Sequence, residues 1–214
     1  MGEHCDALPF VFIMAATMTR LAVDIVLLPD KAMTDLAITA NAGLVKSSAS
    51  EIVLNKNNCL PHISLAMGCI NRDDIDRIAE ALRPLAASVP KKLKPAGIQR
   101  TLSSSGQIIS VIHVRRTNKL QKLHEKVCGL VKPFFLYGVT EDMTAGGQAS
   151  ESTLRWITSY PEKASHSNFS PHITIGCGDL PELQLPADFS VACLAVCHLG
   201  NHCTCREILW SVEV

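Results

Sequence analysis

CLPHISLAMGC, residues 59–69, and FSPHITIGCGD, residues 169–179, write one element twice in a chain of 214 residues. Each copy reads Pro-His-Ile, then a hydroxyl residue, then an aliphatic one, with a glycine shortly after. The two histidines, His62 and His172, stand 110 positions apart. Taken as strands, the copies alternate their faces, so His62 and Ser64 point one way while Ile63 and Leu65 point the other. His172 and Thr174 repeat the pattern against Ile173 and Ile175. Pro61 and Pro171 suit the first residue of a strand, where no ladder donor is lost. Each strand therefore buries an aliphatic face and offers an imidazole and a hydroxyl, roughly 7 Å apart, on the other.

The segments around the motifs set the fold class. Residues 19–29, TRLAVDIVLLP, are aliphatic and β-branched and stop at a proline, which predicts a buried strand. Residues 30–46 have helical spacing with Asp30 as N-cap. Residues 71–88 place Ile75, Ile78, Ala79 and Leu82 on one helical face, with acids early. Two strands within 93–116 join through a Ser/Gly turn at 103–106, and a helix follows over 117–134 through Leu120, Leu123, Val127 and Leu130. Residues 140–152 form a loop leading to a short helix with Leu154, Trp156 and Ile157. The strands FSVACLAVCHL and REILWSVEV pair around GNHCT. Helices interspersed with hairpins give an α+β protein rather than a parallel sheet. The doubled motif suggests two similar sheet-bearing lobes facing one another.

Composition narrows the function classes. Hydrophobic residues make up 47% and charged residues 19%, as in a folded globular chain. Twenty basic residues balance twenty acidic ones, which argues against an extended footprint on duplex nucleic acid but leaves room for a nucleotide or an RNA end. Residues 1–18 read as an N-terminal extension. They lack the basic start of a secretory signal, and their apolar run is far short of the roughly 20 residues of a spanning helix. No membrane partner is expected, and the nine cysteines are read as reduced thiols of a cytoplasmic protein.

Two imidazoles across a groove suit acid–base chemistry, because one can be a neutral base while the other is a cationic acid at the same pH. The hydroxyls of Ser64 and Thr174 supply donors for the non-bridging oxygens of a phosphate. A single His-x-Ser on a strand is usually structural. Two copies that keep the polar pair opposite the core face argue for a shared site.

On these residues, HISL and HITI, the chain resembles the 2H phosphoesterase superfamily, in the branch of 2′-5′ RNA ligase-like proteins and cyclic phosphodiesterases. The resemblance covers roughly residues 19–214 as an architecture, and its specificity lies in the two motifs. It implies a bilobal fold with a pseudo-twofold axis, antiparallel sheets with outer helices, and both motifs in a central groove. It also implies metal-independent chemistry, with no cofactor, on 2′,3′-cyclic phosphates, 2′-5′ linkages or related RNA ends. His62 and His172 map onto the catalytic histidines, and Ser64 and Thr174 onto the phosphate-binding hydroxyls. The alternative is a non-catalytic module that binds an RNA end or nucleotide in the same groove.

Other residues are candidates for the rim. Tyr137 and Tyr160 could stack a nucleobase. His198 and His202 could border the groove, and Arg115 or Arg116 could reach a phosphate. His113 and His124 read as structural. Cys193, Cys197, His198, His202, Cys203 and Cys205 crowd into thirteen residues. Their spacing matches no paired zinc knuckle, so the cluster is read as structural and no metal site is expected.

Overall fold

The computed structural model describes residues 19–48, 50–103 and 106–214, so the expected extension over 1–18 lies outside the described residues. Strand β1 (Arg20–Pro29) runs through the middle of the larger sheet, between β2 (Ile63–Asn71) and β7 (Phe189–Leu199). Strand β8 (Cys205–Glu213) and the two-residue β3 (Lys92–Leu93) also pair with β7. The smaller sheet has the order β4 (Pro95–Leu102), β5 (Ile108–Val114), β6 (His172–Cys177). All pairings are antiparallel. The expected α+β class and the two antiparallel sheets are both present.

Being central, β1 is covered on both faces, which is why its sequence is almost continuously aliphatic. Leu21, Val23, Ile25 and Leu27 face the main core, together with Ile63 and Leu65 of β2 and Ile173 and Ile175 of β6. Ala22 and Val26 face a second, smaller core with Met67, Ile157 and Tyr160.

Four helices cover these sheets among the described residues: α1 (Lys31–Ser47), α2 (Ile75–Leu82), α3 (Asn118–Val131) and α4 (Glu151–Lys163). Asp30 caps α1 as expected, its Oδ1 accepting from the Met33 amide at 2.9 Å. The helical stretch over 71–88 is α-helical only in α2. It begins and ends in 3-10 turns, with Pro84 in the second of them. In α3, Leu120, Leu123 and Val127 are buried but Leu130 is 37% exposed, because Val131 continues the 3.6-residue stripe. The loop over 140–152 contains a 3-10 turn at Glu141–Met143, and α4 begins inside its last residues. None of these helices is long and apolar enough to cross a membrane.

The path β1–α1–β2 has a counterpart in β5–α3–α4–β6, in which a second helix, α4, precedes the antiparallel return strand. In both cases the helix reaches across to the other sheet. α1 packs on β6, and α3 packs on β2. This exchange ties the two motif strands to one shared core, and β2 and β6 lie against each other.

Candidate active site

Each motif sits at the start of an edge strand: His62 immediately precedes β2, and His172 opens β6. The backbones then deviate at the same place. Register with β1 jumps from Ser64 opposite Val26 to Ala66 opposite Ile25, leaving Leu65 as a bulge. On β6 it jumps from Thr174 opposite Val111 to Gly176 opposite Ser110, leaving Ile175 as the bulge. A bulged residue loses its ladder partner, so its buried carbonyl needs another donor. His124 of α3 meets the Leu65 carbonyl through Nδ1 at 2.8 Å. Asn41 of α1 donates from Nδ2 to the Ile175 carbonyl at 2.7 Å. Both side chains are buried, and both come from the helix that follows the other sheet's strand. The glycine after the second motif also has a physical reason, since a Cβ on Gly176 would stand 2.9 Å from Asn41 Nδ2.

The imidazoles are anchored alike. His62 Nδ1 lies 2.7 Å from the Leu60 carbonyl, and His172 Nδ1 lies 2.7 Å from the Ser170 carbonyl. A carbonyl only accepts, so Nδ1 carries the hydrogen in each ring and Nε2 holds the lone pair. His62, Ser64, His172 and Thr174 all line one cavity of about 360 Å³ between the sheets. That volume is at the lower end of small-molecule sites, roughly 300–1,000 Å³.

Electrostatics favour neutral rings in the groove. Burial pushes His62 down to about 4, the Leu60 carbonyl opposes that shift, and charge on His172 adds to it. Burial also lowers His172, with the Ser170 carbonyl opposing and His113 pushing further down.

Beneath the first motif lies a residue that motif reading passed over. Asp24 of β1 is fully buried, and Ser64 Oγ donates to its Oδ2 at 2.6 Å. Its other oxygen, Oδ1, has no hydrogen-bond partner among the described residues. Burial raises the Asp24 pKa well above the usual carboxylate range, against the pull of the Ser64 hydroxyl and the Ala66 amide. His62 Nε2 stands 3.8 Å from Asp24 Oδ2. Because burial drives both groups to their neutral forms, this contact is not an ion pair. The sequence did carry a signal for Asp24: it is the one charged residue within the aliphatic run 21–29, where an isolated charge is costly.

The remaining candidates divide by position. Tyr160 and His202 line the cavity, together with Trp156, whose ring meets Tyr160 edge-on at 6.5 Å. Tyr160 is buried, and burial raises its pKa well above the usual value. His202 Nε2 lies 2.6 Å from Glu51 Oε2, in a turn where His202 and Cys203 both adopt left-handed backbone angles. Tyr137 and His198 do not line the cavity: Tyr137 packs edge-on against Phe135, and His198 Nε2 meets the Met143 carbonyl at 3.0 Å. Arg116 donates to the carbonyls of Ser167 and Phe169, which steadies the approach to the second motif. Arg115 is exposed, and the one Lys or Arg among the described cavity-lining residues is Lys163. His124 is structural as read. His113 also lines the cavity, opposite His172 in the sheet register. Among the C-terminal cluster, Cys197 and Cys205 are buried, whereas His198 approaches Glu207 and His202 approaches Glu51.

No family model matches the chain, and no curated protein matches it. Among solved structures, it is similar to E. coli LigT in apo form, at 12% identity and a TM-score of 0.50, over 91% of this chain and 98% of LigT. A structure described as a phosphoesterase aligns at 12% identity with a TM-score of 0.42, over 91% of this chain and 98% of its own. The likeness to LigT is one of fold, and it agrees with the bilobal α+β architecture that the doubled motif led us to expect.

Proposed function

We propose that the chain is a 2H-type phosphodiesterase that uses His62 and His172 as an acid–base pair on a 2′,3′-cyclic phosphate or a 2′-5′ linkage of an RNA end or nucleotide. The observation that carries this reading is the matched geometry of the motifs. Two bulged edge strands, each with a histidine anchored through Nδ1, contribute both histidines and both hydroxyl residues to the lining of one cavity. The fold shared with LigT agrees with it.

The chemistry follows from these groups. One Nε2 lone pair takes a proton from water as the water oxygen bonds to phosphorus. The other ring, protonated at Nε2, gives its proton to the leaving oxygen as that P–O bond breaks. Exchange with solvent restores both rings. A bound phosphodiester is anionic and raises the proton affinity of the imidazole beside it, which generates the acid against the lowering effect of burial. Thr174 makes no side-chain hydrogen bond among the described residues and is free to donate to a non-bridging oxygen. Ser64 is engaged by Asp24. When that carboxyl carries a proton it can donate to Ser64 Oγ instead, releasing the serine hydrogen toward the phosphate. Trp156 and Phe169 offer apolar wall for a base or ribose. No step of this scheme is routed through a metal.

The test is turnover of a panel of 2′,3′-cyclic nucleotides and 2′-5′ oligoadenylates by the purified chain, with and without EDTA. Hydrolysis that EDTA does not abolish is expected. Saturable binding with no turnover at any pH would instead make the groove a nucleotide-binding module.

A further inference from the structure

We propose that Asp24, His62 and Cys205 form a binding site for one zinc-class divalent cation at the floor of the groove, and that the bound metal switches off His62. The three side chains come from β1, from the start of β2 and from β8, and one ligand atom of each lies within 4.8 Å of the other two. The convergence is built into the backbone, because the Leu60 amide donates to the Cys205 carbonyl at 3.0 Å, two residues before His62. Zinc bonds of about 2.0–2.3 Å in a tetrahedron set neighbouring ligand atoms about 3.3–3.8 Å apart. Asp24 Oδ2 and His62 Nε2 already stand at 3.8 Å.

Independent observations point to a ligand here. Asp24 is fully buried, and its Oδ1 has no hydrogen-bond partner among the described residues. A divalent cation would supply the partner that this oxygen lacks. His62 is oriented as metal-bound histidines are, with Nδ1 held by the Leu60 carbonyl and the Nε2 lone pair left over. Ser64 holds Asp24 in turn. A nitrogen, a sulfur and an oxygen together suit zinc or cobalt rather than magnesium or calcium, which take oxygen ligands. Three protein ligands leave a fourth tetrahedral position, and of the three His62 lines the cavity. Binding displaces the Cys205 thiol proton, and any proton on Asp24, to water.

The consequence rests on the phosphodiesterase reading, although the site itself does not. A metal on His62 Nε2 takes the lone pair that the reaction needs, so the cation inhibits an enzyme whose chemistry is otherwise metal-free. Titration of the metal-free full-length chain with Co²⁺ separates the two. The expected result is a 1:1 complex with a thiolate-to-cobalt charge-transfer band. Cys205→Ser removes that band, and Asp24→Asn weakens binding by more than about tenfold. Cys193→Ser, on the far part of β7, leaves both intact. Circular dichroism confirms that each variant is folded, and the wild-type stoichiometry and Asp24→Asn decide the matter if Cys205→Ser is not. Absence of saturable binding, or binding indifferent to Asp24→Asn and Cys205→Ser, overturns the site. In parallel, Zn²⁺ inhibits cyclic-nucleotide hydrolysis and EDTA restores it. A chain that binds Co²⁺ through these residues yet hydrolyses nothing keeps the site and removes the reading.

Discussion

On β1, two residues before the partner of Ser64 and across the bulge, stands Asp24; on β5 the corresponding position is Ile109. Opposite His172 the same sheet places His113, where β1 has Leu28 at the corresponding step. The two motifs thus share backbone, bulge, histidine anchor and core face, and differ in the layer beneath. The first has a buried acid bonded to its serine. The second has a neighbouring imidazole and a threonine whose side chain makes no hydrogen bond among the described residues. Matched strands bring like groups to one groove, and unmatched neighbours give the halves different proton chemistry.

The largest effect that can break this comparison is loss of either imidazole. His62→Ala and His172→Ala are each expected to lower kcat/KM on a 2′,3′-cyclic nucleotide by about 100- to 10,000-fold, measured in metal-free buffer. Next come the hydroxyls. Thr174→Val should cost about 100-fold in kcat as an electrostatic donor to the phosphate. Ser64→Ala should cost less, because Asp24 already competes for the serine hydrogen. Equal losses would remove the distinction between the halves.

Acidity gives a third test. Burial lowers both histidines, His62 to about 4, so one neutral and one protonated ring coexist in the free enzyme only on the acid side. The profile of kcat/KM against pH should therefore peak below 6.5, the ordinary histidine value. An optimum above 7 would contradict the lowered values.

The fourth prediction concerns Asp24 and stability. Its folded pKa is raised, so the unfolded chain gives up this proton first and wild-type stability falls as pH rises from about 4. Asp24→Asn should raise Tm at pH 8 and leave it unchanged at pH 4, read by thermal denaturation. A lower Tm at pH 8 would show that the carboxylate is instead satisfied as a charge. The smallest effect is at His113, which pushes His172 down. His113→Ala should move the His172 titration upward by NMR, with little change in stability.

Much of this was legible in the sequence, because strand alternation is a local rule. The faces of HISL and HITI follow from period two, and Asp30, Leu120 and Leu123 follow from capping and helical spacing. What could not be read was which strand neighbours which. Asp24 stands 38 positions before His62 and Cys205 stands 143 after it, so only the β2–β1–β7–β8 pairing makes them neighbours. The bulges at Leu65 and Ile175 were hidden for the same reason, since a bulge is defined against a partner strand. Tyr137 and His198 were singled out by residue type, and type alone does not say which face of a sheet a side chain joins.

The central claim is that His62 and His172 act together on one phosphodiester. A double-mutant cycle in kcat/KM on a 2′,3′-cyclic nucleotide, using His62→Ala, His172→Ala and the double variant, tests it most directly. Residues that act as a unit are strongly non-additive, so the double variant should be about as impaired as the more damaged single one. Multiplying losses, or a single variant that keeps full activity, would show that the two histidines do not share one reaction.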